Sequence, residues 1–220
     1  QQLGRVIVGL TDEAAPGPIP DVPTPTDREI DFLLETISTA LETPLARADV
    51  RGAFAGLRPL IDAGDGNTAD LSRRHAVVES PDGVITVVGG KLTTYRRMAQ
   101  DAVDAAVARR GLSATPCRTA QLPLIGAPAH PASASTRGLP AGLIARHGGA
   151  ARSVIDAATL ERPLDPIAEG IDITRAEIEF AVTHEGAADV DDVLHRRTRI
   201  GLVPDDADRA RDAVEAIVAG

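Results

Sequence analysis

Apolar residues recur at helical spacing first over residues 30–41, where Ile30, Leu33, Leu34, Ile37 and Leu41 share one stripe and acidic residues lie opposite. Thr26 with Glu29 three positions on forms a capping box that should start this helix. Its acidic polar face suits packing on protein rather than lying on an anionic membrane. Two β-branched runs, 76–78 and 84–88, flank Pro81-Asp82-Gly83 and predict a hairpin. Gly89-Gly90 then allows a sharp turn. A helix is expected from about Thr93 to Arg110, with Ala99, Ala102, Val103, Ala106 and Val107 on one face and Gly111 as its stop. Residues 5–8 and 50–60 read as further strands, separated by a loop with prolines at 16, 18, 20, 23 and 25.

The pattern changes after Gly111. Residues 126–142 are rich in Gly, Ala, Pro and Ser, as in a linker or a long ordered loop. Helices are expected at 143–146, at 150–160, from the capping box Thr174/Glu177 to about Glu185, and at 189–197. A last helix, capped by Asp205 or Asp206, should reach Val218. The fold class is therefore a mixed α/β (α+β) portion over 1–111, a linker over 112–142 and an all-helical domain over 143–220.

Composition narrows the function classes. The net charge of −9 is divided evenly between the halves, with no basic run and 2% aromatics, so neither nucleic acid nor an anionic membrane is an expected partner. The single Cys117 excludes an internal disulfide and fits a reducing compartment, with a cytoplasmic location expected. No stretch has the length of a transmembrane helix, and no signal peptide is visible. The chain opens with Gln1 directly before a strand pattern, which reads as the C-terminal part of something longer.

Candidate chemistry gathers around residues 83–111. Lys91 is the one lysine among 23 basic residues, and the one tyrosine (Tyr95) and one methionine (Met98) lie beside it. Strand, glycine pair and helix bring unsatisfied N–H groups and the positive helix end to one spot, which suits a phosphate, a carboxylate or the anionic edge of a reduced flavin. A plain strand-to-helix connection in a sheet needs the same residues. Arg58, between Leu57 and Pro59, requires an anionic partner, either a structural carboxylate or a ligand phosphate. Ser72-Arg73-Arg74-His75 is a second group of donors, or a surface turn. Gly64-x-Gly66-x-x-Ala69 lacks the strand and helix of a dinucleotide fingerprint. His184, Glu185 and His195 do not have zinc-site spacing, so no metal is expected.

Five blocks in order, GRVIVGLTDE, PTDREIDFLLETI, ADVRGAFAGLRPLI, LSRRHAV and VITVVGGKLTTYRRMAQDAVDAA, resemble the FAD-dependent glycerol-3-phosphate dehydrogenases. A sixth, EFAVTHEGAADVDDVLHRRTRIGL, resembles that family's helical C-terminal domain. Leu10 departs from the pattern, which usually has threonine there. The resemblance implies a flavoenzyme that oxidises sn-glycerol 3-phosphate to dihydroxyacetone phosphate, with hydride passing to FAD and electrons to a quinone. It implies that Arg58 and Arg73 grip the substrate phosphate, and that Gly89, Gly90, Lys91, Leu92, Thr93 and Thr94 line the flavin ring. The family's N-terminal Gly-rich FAD-binding segment has no counterpart in these 220 residues, so the chain by itself is expected to be inactive. Parts outside it could add peripheral attachment to the inner face of the cell membrane. No catalytic base is assigned; His75 is the nearest candidate. The alternative is a non-catalytic fragment acting as a binding or interaction module.

Overall fold

The computed structural model describes residues 4–15, 17–58, 75–130 and 134–220. The chain divides into two units, one built from residues up to Thr11, Thr24–Ala55 and Pro123–Gly220, the other from Asp12–Pro23 and Gly56–Leu122.

The second unit holds the hairpin. Strands β1 (His75–Glu79) and β2 (Ile85–Gly89) pair antiparallel with His75 opposite Gly89 and Glu79 opposite Ile85, as the flanking apolar runs predict. The turn closes through the Gly83 N–H donating to the Ser80 carbonyl (2.8 Å) and the Ser80 N–H to the Val84 carbonyl (3.0 Å). Gly83 has φ +86°, a conformation that costs a side chain. After Gly90 a 3₁₀ turn (Leu92–Thr94) leads into α2 (Tyr95–Arg109), which packs on both strands. Its C-terminal arginines fasten the far end of the hairpin. Arg110 donates to the Gly83 carbonyl, and Arg109 lies 3.1 Å from Glu79. Among the described residues this unit contains no fully buried apolar side chain, and Val78, Val84 and Val87 remain exposed.

The first unit begins with α1 (Asp27–Ser38), whose capping box is formed as expected: Thr26 Oγ1 accepts from the Glu29 N–H, and Glu29 Oε2 accepts from the Thr26 N–H. Arg47 lies back across the helix to Asp27 and Asp31. The core lies further along, among α3 (Ala141–His147), α4 (Ala151–Asp156), β3 (Pro166–Ala168), β4 (Ile171–Thr174), α5 (Arg175–Thr183), α6 (Val190–Asp192) and α7 (Pro204–Val218). One cluster joins Ile171, Ile173, Ile178, Leu194, Ile200 and Val214, and another joins Leu143, Ala151, Val154 and Ala176. The loop ahead of α3 is tied down, with the Gly126 carbonyl accepting from the Gly149 N–H at 2.8 Å.

Several expectations need correction. Residues 143–220 are not all helical: β3 and β4 pair antiparallel around Glu169-Gly170, with Gly170 at φ +77°. Their runs are too short and mixed to show period-two alternation. Residues 6–10 and 51–58 form no regular strand, and Arg5 makes only an isolated bridge. A β-branched run becomes a strand only when its backbone finds a ladder partner, and Val6 and Ile7 are exposed. The 150–160 helix stops at Asp156. α7 starts at Pro204, one residue ahead of the expected caps, because proline at the first helical position needs no N–H partner. Asp206 is instead fully buried between Arg5 (2.6 Å) and Arg209. After α6 the chain widens into a π-helical turn, Val193–Arg197, where an α-helix is expected.

Candidate functional site

The glycine turn is built as its sequence requires. Gly89 and Gly90 have φ of +75° and +76°, a backbone region that residues with a Cβ adopt only at a cost. Space is also tight at Gly90, where Met98 would have to shift to admit a side chain. A Cβ there would come 2.5 Å from Met98 Sδ and 3.2 Å from His75 Cβ. The lone methionine therefore packs against the turn at Gly90.

Lys91 then caps the 3₁₀ turn. Its N–H donates to Thr94 Oγ1 (3.1 Å), and its carbonyl accepts from the Thr94 N–H (2.9 Å). The N–H groups of Leu92 and Thr93 have no backbone acceptor among the described residues. These are the orphan donors that any helix start leaves. Lys91, Leu92, Thr93 and Thr94 are exposed, and Lys91, Arg96 and Arg97 add positive charge at the same helix end. The arrangement can hold an anionic edge by N–H donation and field, without placing a charge in the core.

Beneath the turn lies a pair that the sequence did not disclose. His75 Nε2 is 2.8 Å from Asp101 Oδ2, and Arg97 Nε donates to the same carboxylate at 2.9–3.1 Å. The hydrogen bond with His75 does most to hold the Asp101 carboxyl below its usual range; burial opposes it, and the hydrogen bond from Arg97 adds to the lowering. The Arg97/Asp101 spacing of four on a helix was the one local signal for it.

Of the expected phosphate-binding pair, Arg58 is placed and Arg73 lies outside the described residues. Arg58 Nη1 meets Asp12 Oδ2 at 2.5 Å, both side chains about half exposed. Arg58 thus has a carboxylate partner, one of the two open alternatives. That bond engages one edge of a guanidinium with five N–H donors, and no other described residue bonds Nη2 or Nε.

A second ionic centre lies in the other unit. Glu177, on the first turn of α5 and 6% exposed, accepts from Arg146 Nε (2.5 Å), Arg146 Nη2 (3.0 Å) and the Thr174 N–H (2.8 Å), with His147 Nε2 at 3.2 Å. Burial by itself would raise its carboxyl. The bonds from His147, Arg146 and Thr174 outweigh that and hold it down to about 2. This centre joins α3 to α5 and has the character of a structural joint. Among the described residues no group of three or more His, Cys, Asp or Glu side chains is placed to hold a metal ion, and no helix is long and apolar enough to cross a membrane.

A protein-family model, the C-terminal domain of alpha-glycerophosphate oxidase, matches residues 117–220. "Glycerol-3-phosphate dehydrogenase 1" of Mycobacterium bovis is 63% identical over 215 residues, covering 95% of this chain and 42% of that protein. "Glycerol-3-phosphate dehydrogenase" of Mycobacterium leprae is 38% identical over 82% of this chain and 33% of its own length. "Glycerol-3-phosphate dehydrogenase SDP6, mitochondrial" of Arabidopsis thaliana is 34% identical over 98% of this chain and 38% of its own length. The chain thus spans about two fifths of the length of the relatives it matches. It belongs to the family of glycerol-3-phosphate dehydrogenases and oxidases, as a C-terminal part of that fold.

Proposed function

We propose that this chain completes a flavoenzyme that oxidises sn-glycerol 3-phosphate to dihydroxyacetone phosphate. The observation that carries the reading is the Gly89-Gly90 turn, with both glycines at positive φ and the Leu92 and Thr93 N–H groups without a backbone acceptor among the described residues, in a chain so similar to proteins named glycerol-3-phosphate dehydrogenase. Gly89, Gly90, Lys91, Leu92, Thr93 and Thr94 line the flavin ring. The N–H groups of Leu92 and Thr93, the α2 dipole and the Lys91 ammonium face the edge that becomes anionic on reduction. FAD, when bound, supplies the two-electron acceptor chemistry and passes electrons on to a quinone. Arg58 and Arg73 grip the substrate phosphate, and Asp12 holds the Arg58 fork in place by one edge. The domain plan is 1–111 as the flavin- and substrate-facing portion, 112–142 as connection and 143–220 as the C-terminal domain. The protein works in the cytoplasm or against the inner face of the cell membrane.

The test joins this chain to a flavin-binding half of the kind its longer relatives carry. Purified product should reduce a quinone analogue with sn-glycerol 3-phosphate and be nearly inert with glycerol. A product that holds FAD but discriminates neither substrate ends the reading.

A further inference from the structure

The pair beneath the glycine turn has no part in the scheme above. His75 is the cross-strand partner of Gly89, and its Cβ lies where a Cβ on Gly90 would press. Its ring reaches across to the second turn of α2, to Asp101, which Arg97 holds from the helix surface. One hydrogen bond thus links β1, at the point opposite the end of β2, to the helix that follows the turn. His75 and Asp101 side chains are 19% and 27% exposed, so the bond is largely shielded from competing water.

We propose that Asp101 is a positioning residue for the anion-facing turn: it fixes His75 with the proton on Nε2, and the fixed ring sets the approach of β2 to α2 that aims the Leu92 and Thr93 N–H groups. The tautomer follows from chemistry. A carboxylate accepts only, so Nε2 must donate, and a neutral ring then has Nδ1 unprotonated. Arg97 keeps the carboxylate from rotating away by occupying it from the other side. The consequence is leverage: loss of one hydrogen bond away from the ligand redirects two donors that meet it. The inference rests on reading Leu92 and Thr93 as anion-facing.

The experiment uses the 220-residue chain in mildly alkaline buffer and two NMR readouts. Long-range proton–nitrogen spectra report which imidazole nitrogen of His75 carries the proton. Amide shifts of Leu92 and Thr93 report a titration with inorganic phosphate. The expected result is an Nε2–H ring and phosphate-dependent shifts in the unsubstituted chain, both lost in Asp101→Asn and both regained in Asp101→Glu. Amides of α5 serve as the control for folding. Should Asp101→Asn lose the hairpin, Arg97→Lys, which keeps the positive charge and the His75 partner but loses the Nε contact with the carboxylate, is expected to weaken the phosphate shifts while the hairpin stays. An Nδ1–H ring, or phosphate shifts that persist unchanged in Asp101→Asn, overturns the positioning role while leaving the anion site standing. No phosphate shift in the unsubstituted chain overturns both the site and the proposal.

Discussion

Replacing Glu177 with glutamine tests the physical account of the larger unit at its most loaded point. The carboxylate accepts from Arg146, His147 and the Thr174 N–H and hydroxyl, and it is almost wholly buried. Glutamine keeps the shape but replaces one acceptor oxygen with a donor, which then faces either the guanidinium or the capped N–H. Breaking a buried pair in this way costs about 3–5 kcal/mol. The depressed pKa leads to a figure of the same order. A carboxyl held at about 2 against an ordinary 4.5 is stabilised by on the order of 3 kcal/mol in its charged form. For a depressed carboxyl, that stability is fully present above 4.5 and is lost as pH falls towards about 2. Urea unfolding followed by circular dichroism should therefore show Glu177→Gln about 3 kcal/mol less stable at neutral pH, or roughly 6–12 °C lower in Tm. The gap should close as the wild type is acidified, whereas other carboxylates affect both proteins alike. A variant within about 0.5 kcal/mol of wild type, or a gap that does not change with pH, would refute the reasoning.

In the enzyme completed by its flavin-binding half, Arg58→Lys should lower kcat/KM for sn-glycerol 3-phosphate roughly 10- to 150-fold, from loss of a charge-assisted phosphate contact of about 1.5–3 kcal/mol. Glycerol turnover should barely change, and equal damage to both substrates would make the arginine structural. Gly90→Ala combines positive φ with a clash against Met98, so hydrogen exchange in β1 and β2 should rise at least about tenfold. Unchanged protection would mean that the turn tolerates a side chain. The chain by itself should purify colourless; a yellow preparation with stoichiometric FAD would show that it carries a complete flavin site.

What the sequence disclosed was local. Thr26/Glu29 and Thr174/Glu177 are read from four consecutive residues, and both boxes close in the structure. The hairpin likewise announces itself, because its turn sits between two β-branched runs. Interactions between distant residues stayed hidden. His75 meets Asp101 across 26 positions and Arg146 meets Glu177 across 31, and no periodicity encodes such pairs. Arg58 shows the intermediate case: its neighbours demanded an anion, but only the fold brought up Asp12 from 46 positions away. Residues 6–8 failed as a strand for the opposite reason. Their propensity was correct, but a strand is defined by its partner, which propensity does not supply.

The two-stranded sheet has one more consequence, for handling the protein. Each strand of an isolated pair has an outer edge, and among the described residues neither outer edge of β1–β2 is paired. β1 carries Glu79 as a guard, whereas β2, Ile-Thr-Val-Val-Gly, carries no charge and no proline. Such an edge is a template for strand addition by any extended segment, including another copy. Concentrated solutions of the chain by itself should therefore scatter light before dilute ones do, and a lysine at Thr86 is the simplest change to keep them clear.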